Sequence, residues 1–389
     1  MRILFLAPHP FFQNRGTPIA VRMVLEWMSN MGYQVTLLTY PEGEDIELPG
    51  LRLVRLKARA GVNNVRPGFS WQKLVYDVAM YGELRRILKR EPFDVIHAVE
   101  ESVFLAQRLV RGAHTPVVYD MDSSMAQQLV EKMPFLKLLA GLFNAMEARA
   151  IRRSVGVLAV CRALEDIVKR TSPTTFVQRL EDGTLLPEHT PDPSPDQILD
   201  GDNGVKLLYV GNLEAYQGID LMLEAFALCA TEYGDAKLLV IGGTDAHIEH
   251  YRERVRQLGI ESQVQFLGPR PAQDLGVYLK QADILLSARS KGINTPMKIY
   301  SYLDSGRVVL ATRMLTHTQV MDDDIACLVN PDPASMAQGM RQLIADPSLR
   351  ARLAAAASQR VEQEFSPAAF QRKLKAFYGR IENIMQDRQ

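Results

Sequence analysis

Short apolar runs alternate with longer amphipathic stretches along most of the chain. In the first half the predicted strands are 2–8, 33–40, 51–58, 94–99, 116–121 and 155–160. In the second half they are 205–211, 236–243, 264–268, 282–288 and 307–312, with helical periodicity between them. Strands that are apolar throughout are buried on both faces, so the pattern predicts mostly parallel sheets covered by helices.

The pattern is interrupted once, at residues 187–203, where Pro, Asp and Ser are dense. Such a segment is typical of a linker between domains. We therefore expect two doubly wound α/β domains, one at 1–190 and one at 200–365, with a helical tail broken near 365–367. Two such domains bring the carboxyl ends of their sheets to a shared cleft, which is where ligands of these folds bind.

Composition narrows the function classes without choosing one. The 389 residues carry 45 basic and 45 acidic side chains, so no global charge indicates a nucleic-acid partner. Three widely spaced cysteines indicate buried thiols in a reducing compartment. The start is broken by Pro8 and Pro10, which argues against a signal peptide, and no apolar run is long enough to span a bilayer. We expect a cytoplasmic protein, with the inner face of a membrane as an alternative.

The stretch NTPMKIYSYLDSGRVVLAT, at 294–312, predicts a helix, a glycine stop and a strand. Asn294 or Thr295 is the expected cap, with Pro296 near the first helical position. Free backbone N–H groups and Lys298 in one turn favour an anion. Arg289, Lys291 and Gly292 lie just upstream. The residues therefore indicate a phosphate or diphosphate site, and a solvated basic loop before an amphipathic helix remains the alternative.

Several segments, in their order along the chain, resemble one enzyme family. Residues 295–312 resemble the nucleotide-diphosphate-sugar site of GT-B glycosyltransferases, in particular the retaining GT4 family. The other segments with this resemblance are 1–39, 94–99, 207–226 and 264–289. The resemblance implies two Rossmann-like domains, a C-terminal helix (366–389) that crosses back to the first domain, and sugar transfer from a nucleotide-diphosphate sugar with retention and without a metal or other cofactor.

The resemblance also implies a set of site residues. Gly16 and Thr17 would bring backbone N–H groups of the first domain towards the diphosphate, and Lys298 would hold the phosphates. The positions implied for donor binding are Gly16, Thr17, Gly211, Asn212, Gln217, Gly268, Arg289, Asn294, Thr295, Pro296, Met297, Lys298 and Ser301. The residues expected to act in catalysis are Asp122 and Lys298. Helix capping is an alternative role for Asp122.

The chain departs from the family pattern at charged positions. Asn212 and Gln217 stand where the family commonly has Arg and Lys, and Ser301 stands where it has Glu. Two explanations stay open. Lys298 and Arg289, with Lys291 and Arg15, supply the missing charge, or catalysis has been lost and the chain is a nucleotide-sugar-binding protein or partner subunit. A sugar-nucleotide epimerase would need carboxylates near the sugar that the sequence does not offer.

Histidines and aspartates elsewhere are weaker candidates. His9 and His97 lie at strand ends that we expect to face the cleft, although packing or capping roles are at least as common. Asp120 and Asp122 occupy the strand end where the family often has a sugar-facing His. Asp322–Asp324 are contiguous carboxylates of the kind that is usually solvated, so we expect no metal there.

A basic region precedes these strand ends. Its cations are Arg52, Arg55, Lys57, Arg59, Arg66, Lys73, Arg85, Arg86, Lys89 and Arg90, and its aromatics are Phe69, Trp71, Tyr76 and Tyr81. Residues 133–153 add an apolar helix with a basic end. Such segments suit an anionic lipid surface or a lipid-linked acceptor, and the alternative is a packed helix with a wet basic face. The resulting hypothesis is glycosyl transfer to a cell-envelope glycan or lipid-linked acceptor.

Overall fold

A computed structural model of the protein describes residues 1–13, 16–62, 65, 70–110, 115–125, 140–186 and 204–387. The chain divides into two compact units, the first comprising Met1–Glu181 with Gln371–Gln389 and the second Asp182–Phe370. The predicted linker at 187–203 lies outside the described residues, as do 66–69 of the basic region and 133–139 of the apolar helix.

The first unit is built on a seven-stranded parallel sheet in the order β3-β2-β1-β4-β5-β6-β7. Its strands are β1 Arg2–Ala7, β2 Gln34–Thr39, β3 Leu51–Arg55, β4 Val95–Val99, β5 Val117–Met121, β6 Gly156–Ala159 and β7 Val177–Arg179. Its helices include α1 Gly16–Asn30, α2 Trp71–Arg90, α3 Ser102–Leu109, α4 Ala140–Arg153 and α5 Arg162–Thr171.

The second unit has a six-stranded parallel sheet in the order β10-β9-β8-β11-β12-β13. Its strands are β8 Lys206–Val210, β9 Lys237–Ile241, β10 Val264–Gly268, β11 Ile284–Ser287, β12 Val308–Thr312 and β13 Cys327–Val329. Its helices are α6 Ile219–Ala230, α7 Asp245–Leu258, α8 Leu275–Gln281, α9 Lys298–Asp304, α10 Leu315–Thr318, α11 Pro333–Ala345 and α12 Pro347–Glu364. The last helix, α13 Pro367–Gln386, runs into the first unit.

The prediction of two parallel-sheet α/β domains is confirmed. All five residues of β4, β5 and β12 are buried, as expected for strands covered on both faces. The sequence pattern missed β7 and β13, which are three-residue strands at sheet edges. Such short edges carry too little periodicity to be recognised.

Local sequence signals place several helices. Thr244 caps α7 by accepting a hydrogen bond from the His247 N–H, and Gly259 closes that helix with φ +69°. Asp332 and Asp346 cap α11 and α12, each followed by Pro at the first turn. These signals fix where α7 begins and ends and where α11 and α12 begin.

In both sheets the strand order reverses once, between β1 and β4 in the first and between β8 and β11 in the second. The loops that leave the carboxyl ends of such neighbouring strands run in opposite directions and leave a crevice between them. The second crevice is bordered by Gly211 after β8 and by Ala288 and Arg289 after β11. It is the natural starting point for a ligand site.

Candidate functional site

The turns around the second crevice allow very close backbone packing. Gly211 has φ +151°, and a Cβ on Gly242 would lie 2.1 Å from the Gly211 carbonyl oxygen. Gly218 has φ +72°, and a Cβ there would lie 2.0 Å from the Ala288 carbonyl oxygen. Side chains are excluded at these positions, so backbone groups line the crevice.

Helix α9 starts later than the sequence predicts. Its cap residue is Met297, without a side-chain cap, so the expectation that Asn294 or Thr295 caps it is wrong. The reason is that the chain makes a tight turn first, in which the Ile299 N–H donates to the Pro296 carbonyl at 2.9 Å. Because α9 has only seven residues, its dipole is small, and the full charge on Lys298 is the stronger attraction for an anion.

The amine of Lys298 is turned into the protein. Its Nζ is buried without a hydrogen-bond partner and lies 3.9 Å from the centroid of the Tyr209 ring. A Cβ on Gly211 would lie 3.3 Å from it. Burial, with a contribution from the Arg289 charge, lowers the pKa of Lys298 to about 7. The alternative of a solvated lysine is therefore wrong for this residue.

Arg289 lies half-buried at the carboxyl end of β11. Its guanidinium stacks over the Tyr216 ring at 5.2 Å, and its Nε donates to the Lys291 carbonyl at 2.8 Å. Burial lowers its pKa, yet an arginine keeps its charge at any physiological pH. Lys291 is exposed. Of the predicted cations in the described residues, Lys298 and Arg289 are thus the two that are at least partly buried at the crevice. Arg15 lies outside the described residues.

Two further side chains at the crevice have unsatisfied polar atoms. Gln217 is buried with no partner for its Oε1, and Thr295 is buried with no partner for its Oγ1. Buried polar groups are normally hydrogen-bonded, so these two atoms are available to bind a polar ligand. Asn212 is exposed, and its Nδ2 donates to the Tyr216 hydroxyl at 3.3 Å.

The remaining predicted donor residues of this unit are placed differently. Ser301 is fully buried, and its hydroxyl accepts a hydrogen bond from the Leu185 N–H at 3.1 Å. It therefore anchors the first residues of the second unit, which begins at Asp182. Gly268 ends β10 with φ +70°, and Pro296 and Met297 are half-buried in the turn before α9.

Sequence reasoning missed His317, which lies fully buried behind the crevice. Its Nδ1 lies 2.7 Å from the Thr312 carbonyl and its Nε2 lies 2.9 Å from the Ser287 hydroxyl. Burial lowers the pKa of His317 to about 4, so it stays neutral and joins the ends of β11 and β12. A lone His between short elements gives no sequence signal for this role.

In the first unit, α1 begins at Gly16, two residues before the predicted helix. Gly16 has φ +32° and is exposed, with nothing within 4 Å of where a Cβ would stand, and Thr17 is half-buried. Asp122 is half-buried just after β5. His97 is fully buried in the middle of β4, so the expectation that it faces a cleft is wrong.

Part of the basic region is neutralised. Lys73 is nearly buried and pairs with Glu101 at 2.6 Å and Glu100 at 3.6 Å, so its charge belongs neither to a lipid-facing surface nor to a wet basic face. Burial raises the pKa of Glu101 to about 8, against the opposing charge of Lys73. Tyr76 is also buried.

Two family models match the chain. The model described as "Glycosyl transferase 4-like domain" matches residues 15–174, and "Glycosyl transferases group 1" matches residues 204–346. Together they cover β2 to β6 of the first sheet and all six strands of the second. The chain belongs to the GT4-like glycosyltransferases.

The curated relatives of this glycosyltransferase are themselves glycosyltransferases, and their sequence identity to this chain is low. D-inositol 3-phosphate glycosyltransferase of Corynebacterium diphtheriae is 31% identical over 180 residues, which span 44% of this chain and 42% of that protein. Phosphatidyl-myo-inositol mannosyltransferase of Mycolicibacterium smegmatis is 22% identical over 377 residues, which span 93% of this chain and 90% of that protein.

Solved structures agree on the fold of this glycosyltransferase. Sucrose-phosphate synthase from Thermosynechococcus elongatus has a TM-score of 0.78 at 18% identity, with coverage of 98% of this chain and 99% of that one. HepE of Anabaena, solved in complex with UDP, has a TM-score of 0.74 at 15% identity, with coverage of 97% and 100%. Both match the two-domain parallel-sheet architecture along their whole length.

Across the described ranges, His, Cys, Asp and Glu nowhere gather in threes as metal ligands would. Asp323 pairs with Arg313 at 2.7 Å, in keeping with a solvated acidic turn. None of the helices in the described ranges combines the length and the apolarity that a bilayer crossing requires.

Proposed function

We propose that this glycosyltransferase moves a sugar from a nucleotide-diphosphate sugar, with retention, to a cell-envelope glycan or lipid-linked acceptor. The observation that carries the donor assignment is the buried, unpartnered amine of Lys298 beside Gly211. A buried amine without a counter-ion is unfavourable, and a diphosphate would supply the missing charge.

The donor site we propose is the crevice of the second sheet. Lys298 and Arg289 bind the diphosphate. They do the work of the Arg and Lys that the family commonly has at the positions of Asn212 and Gln217. Thr295, with Pro296 and Met297, adds polar and backbone groups from the turn before α9. Support for a UDP-sugar comes from HepE, solved also in complex with UDP-glucose. Stabilisation of a leaving diphosphate by preorganised cations is commonly the largest contribution to catalysis of this kind.

The first unit contributes the acceptor side in this proposal. Gly16 and Thr17 approach the diphosphate through backbone N–H groups, and Asp122 orients a sugar or acceptor hydroxyl. No metal takes part, since two cationic side chains serve the diphosphate. Ser301 is left out of the donor contacts, because its hydroxyl is engaged by the Leu185 N–H.

A second candidate is a nucleotide-sugar-binding protein or partner subunit with weakened catalysis. Asn212, Gln217 and Ser301 favour it, because each replaces a charged family residue. Both candidates predict donor binding, and only the first predicts turnover. Incubation with UDP-, GDP- and ADP-sugars, followed by detection of released nucleoside diphosphate, separates them.

Turnover with an α-linked product from an α-linked donor, read by NMR of the anomeric proton, is the result we expect. Tight binding without release of nucleotide over several acceptors would favour the binding protein. Conversion of the donor sugar to its epimer without release would show an epimerase. Binding of no nucleotide sugar at all would refute both candidates.

The membrane contact we propose uses one face of α2. Trp71, Leu74 and Val78 are 58%, 55% and 64% exposed and follow helical spacing. The last two turns of the same helix expose Arg85, Arg86, Lys89 and Arg90. An exposed apolar stripe beside cations suits the cytoplasmic surface of an anionic membrane. This placement also brings a lipid-linked acceptor to the first unit.

We predict that replacing Trp71, Leu74 and Val78 together by Ser lowers the fraction bound to phosphatidylglycerol vesicles about tenfold, because the apolar area is lost. Cosedimentation with vesicles measures it, and Leu228→Ser, at an equally exposed leucine of the second unit, is the control. Vesicles of phosphatidylcholine alone should bind weakly. Unchanged binding of the triple variant would contradict the proposal.

A further inference from the structure

Three buried polar side chains cross one face of the first sheet. His97 stacks on Phe5, with ring centroids 4.2 Å apart. Its Nε2 lies 2.9 Å from Asp120 Oδ2, and its Nδ1 lies 2.6 Å from the hydroxyl of Tyr378 on α13. The surrounding residues of this face, such as Ile3 and Val118, are apolar and fully buried.

The direction of this chain of hydrogen bonds follows from Tyr378. Burial and the Asp120 charge raise the pKa of Tyr378 well above its usual value, so its hydroxyl keeps the proton. A buried hydroxyl needs an acceptor, and His97 Nδ1 is the partner in place. With Nδ1 accepting, Nε2 carries the ring proton and donates it to Asp120.

Asp120 is the outer end of this chain of hydrogen bonds. It is the penultimate residue of β5, at the carboxyl edge where ligands of such sheets bind. Its side chain is 11% exposed, whereas that of His97 is 0% exposed. Within the described ranges Oδ2 is the oxygen that His97 holds, and no hydrogen bond engages Oδ1. The carboxylate is therefore fixed from behind and reachable from the front.

We propose that Asp120 contacts a sugar hydroxyl during transfer, and that His97 and Tyr378 are positioning residues that hold its carboxylate. An ionised carboxylate accepts a short, strong hydrogen bond from a hydroxyl, which makes it a specific contact for a sugar. A partner behind the contact group removes its rotational freedom, as the third residue of a catalytic triad does for the base. The inference rests on the proposed nucleotide-sugar transfer.

The test compares two Tyr→Phe variants. Tyr378 lies on α13, and Tyr33 contacts that helix from the first unit. Tyr378→Phe removes the hydroxyl behind His97 and keeps the ring. Tyr33→Phe removes a hydroxyl that donates to Glu382 of the same helix at 3.0 Å, and its ring lies 6.1 Å from that of Tyr378. Both variants lose one hydrogen bond to α13, and only the first acts on His97. Similar thermal unfolding midpoints would show that they are matched.

We expect Tyr378→Phe to lower kcat about tenfold and Asp120→Asn about a hundredfold, with Tyr33→Phe near wild type. Affinity for the nucleoside diphosphate, measured by calorimetry, should not change in any of the three. Wild-type kcat in both Tyr378→Phe and Asp120→Asn would overturn the inference. It would show that these hydrogen bonds have a purely structural role. A kcat loss in Tyr33→Phe equal to that in Tyr378→Phe would overturn it too.

Two assays separate the possible sources of the hydroxyl. The probes are UDP-glucose or GDP-mannose, whichever the wild type consumes, with octyl glucoside as acceptor or with water alone. A contact to the donor sugar lowers both hydrolysis and transfer in Asp120→Asn, whereas a contact to the acceptor lowers transfer alone. Either result supports the inference. If the wild type turned over no member of the UDP-, GDP- and ADP-sugar panel, the proposed function would be refuted, and this inference with it.

Discussion

Replacing Lys298 by Met is expected to weaken binding of the nucleoside diphosphate about a hundredfold, since it removes a charge-assisted contact made inside the protein. Binding of the nucleoside should change little, because no phosphate is involved. Methionine fills the space of the lysine stem and removes a buried amine that has no partner. The fold should therefore be as stable as the wild type or more so.

Calorimetric titration with UDP and with uridine measures the difference, or with the matching guanine pair if the enzyme uses a GDP-sugar. Lys291→Met is the matched control, because Lys291 lies in the loop that leads to α9 and is exposed. It should lose little affinity. An equal loss for diphosphate and nucleoside in Lys298→Met would contradict the phosphate role.

Donor affinity should also depend on pH. The pKa of Lys298 is about 7 in the free protein, and a bound diphosphate raises it. Between these two values binding takes up one proton, so affinity should rise about tenfold per unit as pH falls from about 9 to about 7. Below pH 7 the amine is already charged and the curve should level off.

The nucleotide sugar is the right probe for this experiment, because its diphosphate is a diester and does not titrate near neutrality. Neighbouring groups should not contribute in this range: burial raises the pKa of Tyr209 and of Tyr302, and lowers that of His317 to about 4. Arg289 stays charged throughout. Lys298→Arg should bind with little pH dependence, and a flat wild-type curve would contradict the assignment.

The fold followed from the sequence because its signals are local and repeated. Apolar runs separated by helical periodicity define parallel strands such as β4 and β12 whatever the rest of the chain does. The three-residue strands β7 and β13 escaped, because they are stabilised by a neighbour in the sheet and carry too few residues for a pattern.

The candidate site was less predictable, since burial is decided by distant segments. The sequence indicated Lys298 as a phosphate ligand but not that its amine is enclosed by Tyr209 and Gly211. It assigned Ser301 to the donor, although that hydroxyl binds the backbone 116 residues earlier. The partnership of His97 with Tyr378 joins residues 281 positions apart, which no local pattern encodes.

The return of the last helix to the first unit has a consequence for how the protein is made. Gly156 of β6 lies so close to α13 that a Cβ there would come within 2.8 Å of Ile381, and Trp27 packs on Tyr378 with ring centroids 5.4 Å apart. During synthesis on a ribosome, the surfaces around Gly156 and Trp27 stay exposed until α13 is made, which happens only after the whole second unit has been translated. The domain begun first is thus completed last, and a fragment ending near residue 181 would need residues 371–389 supplied separately to close its core.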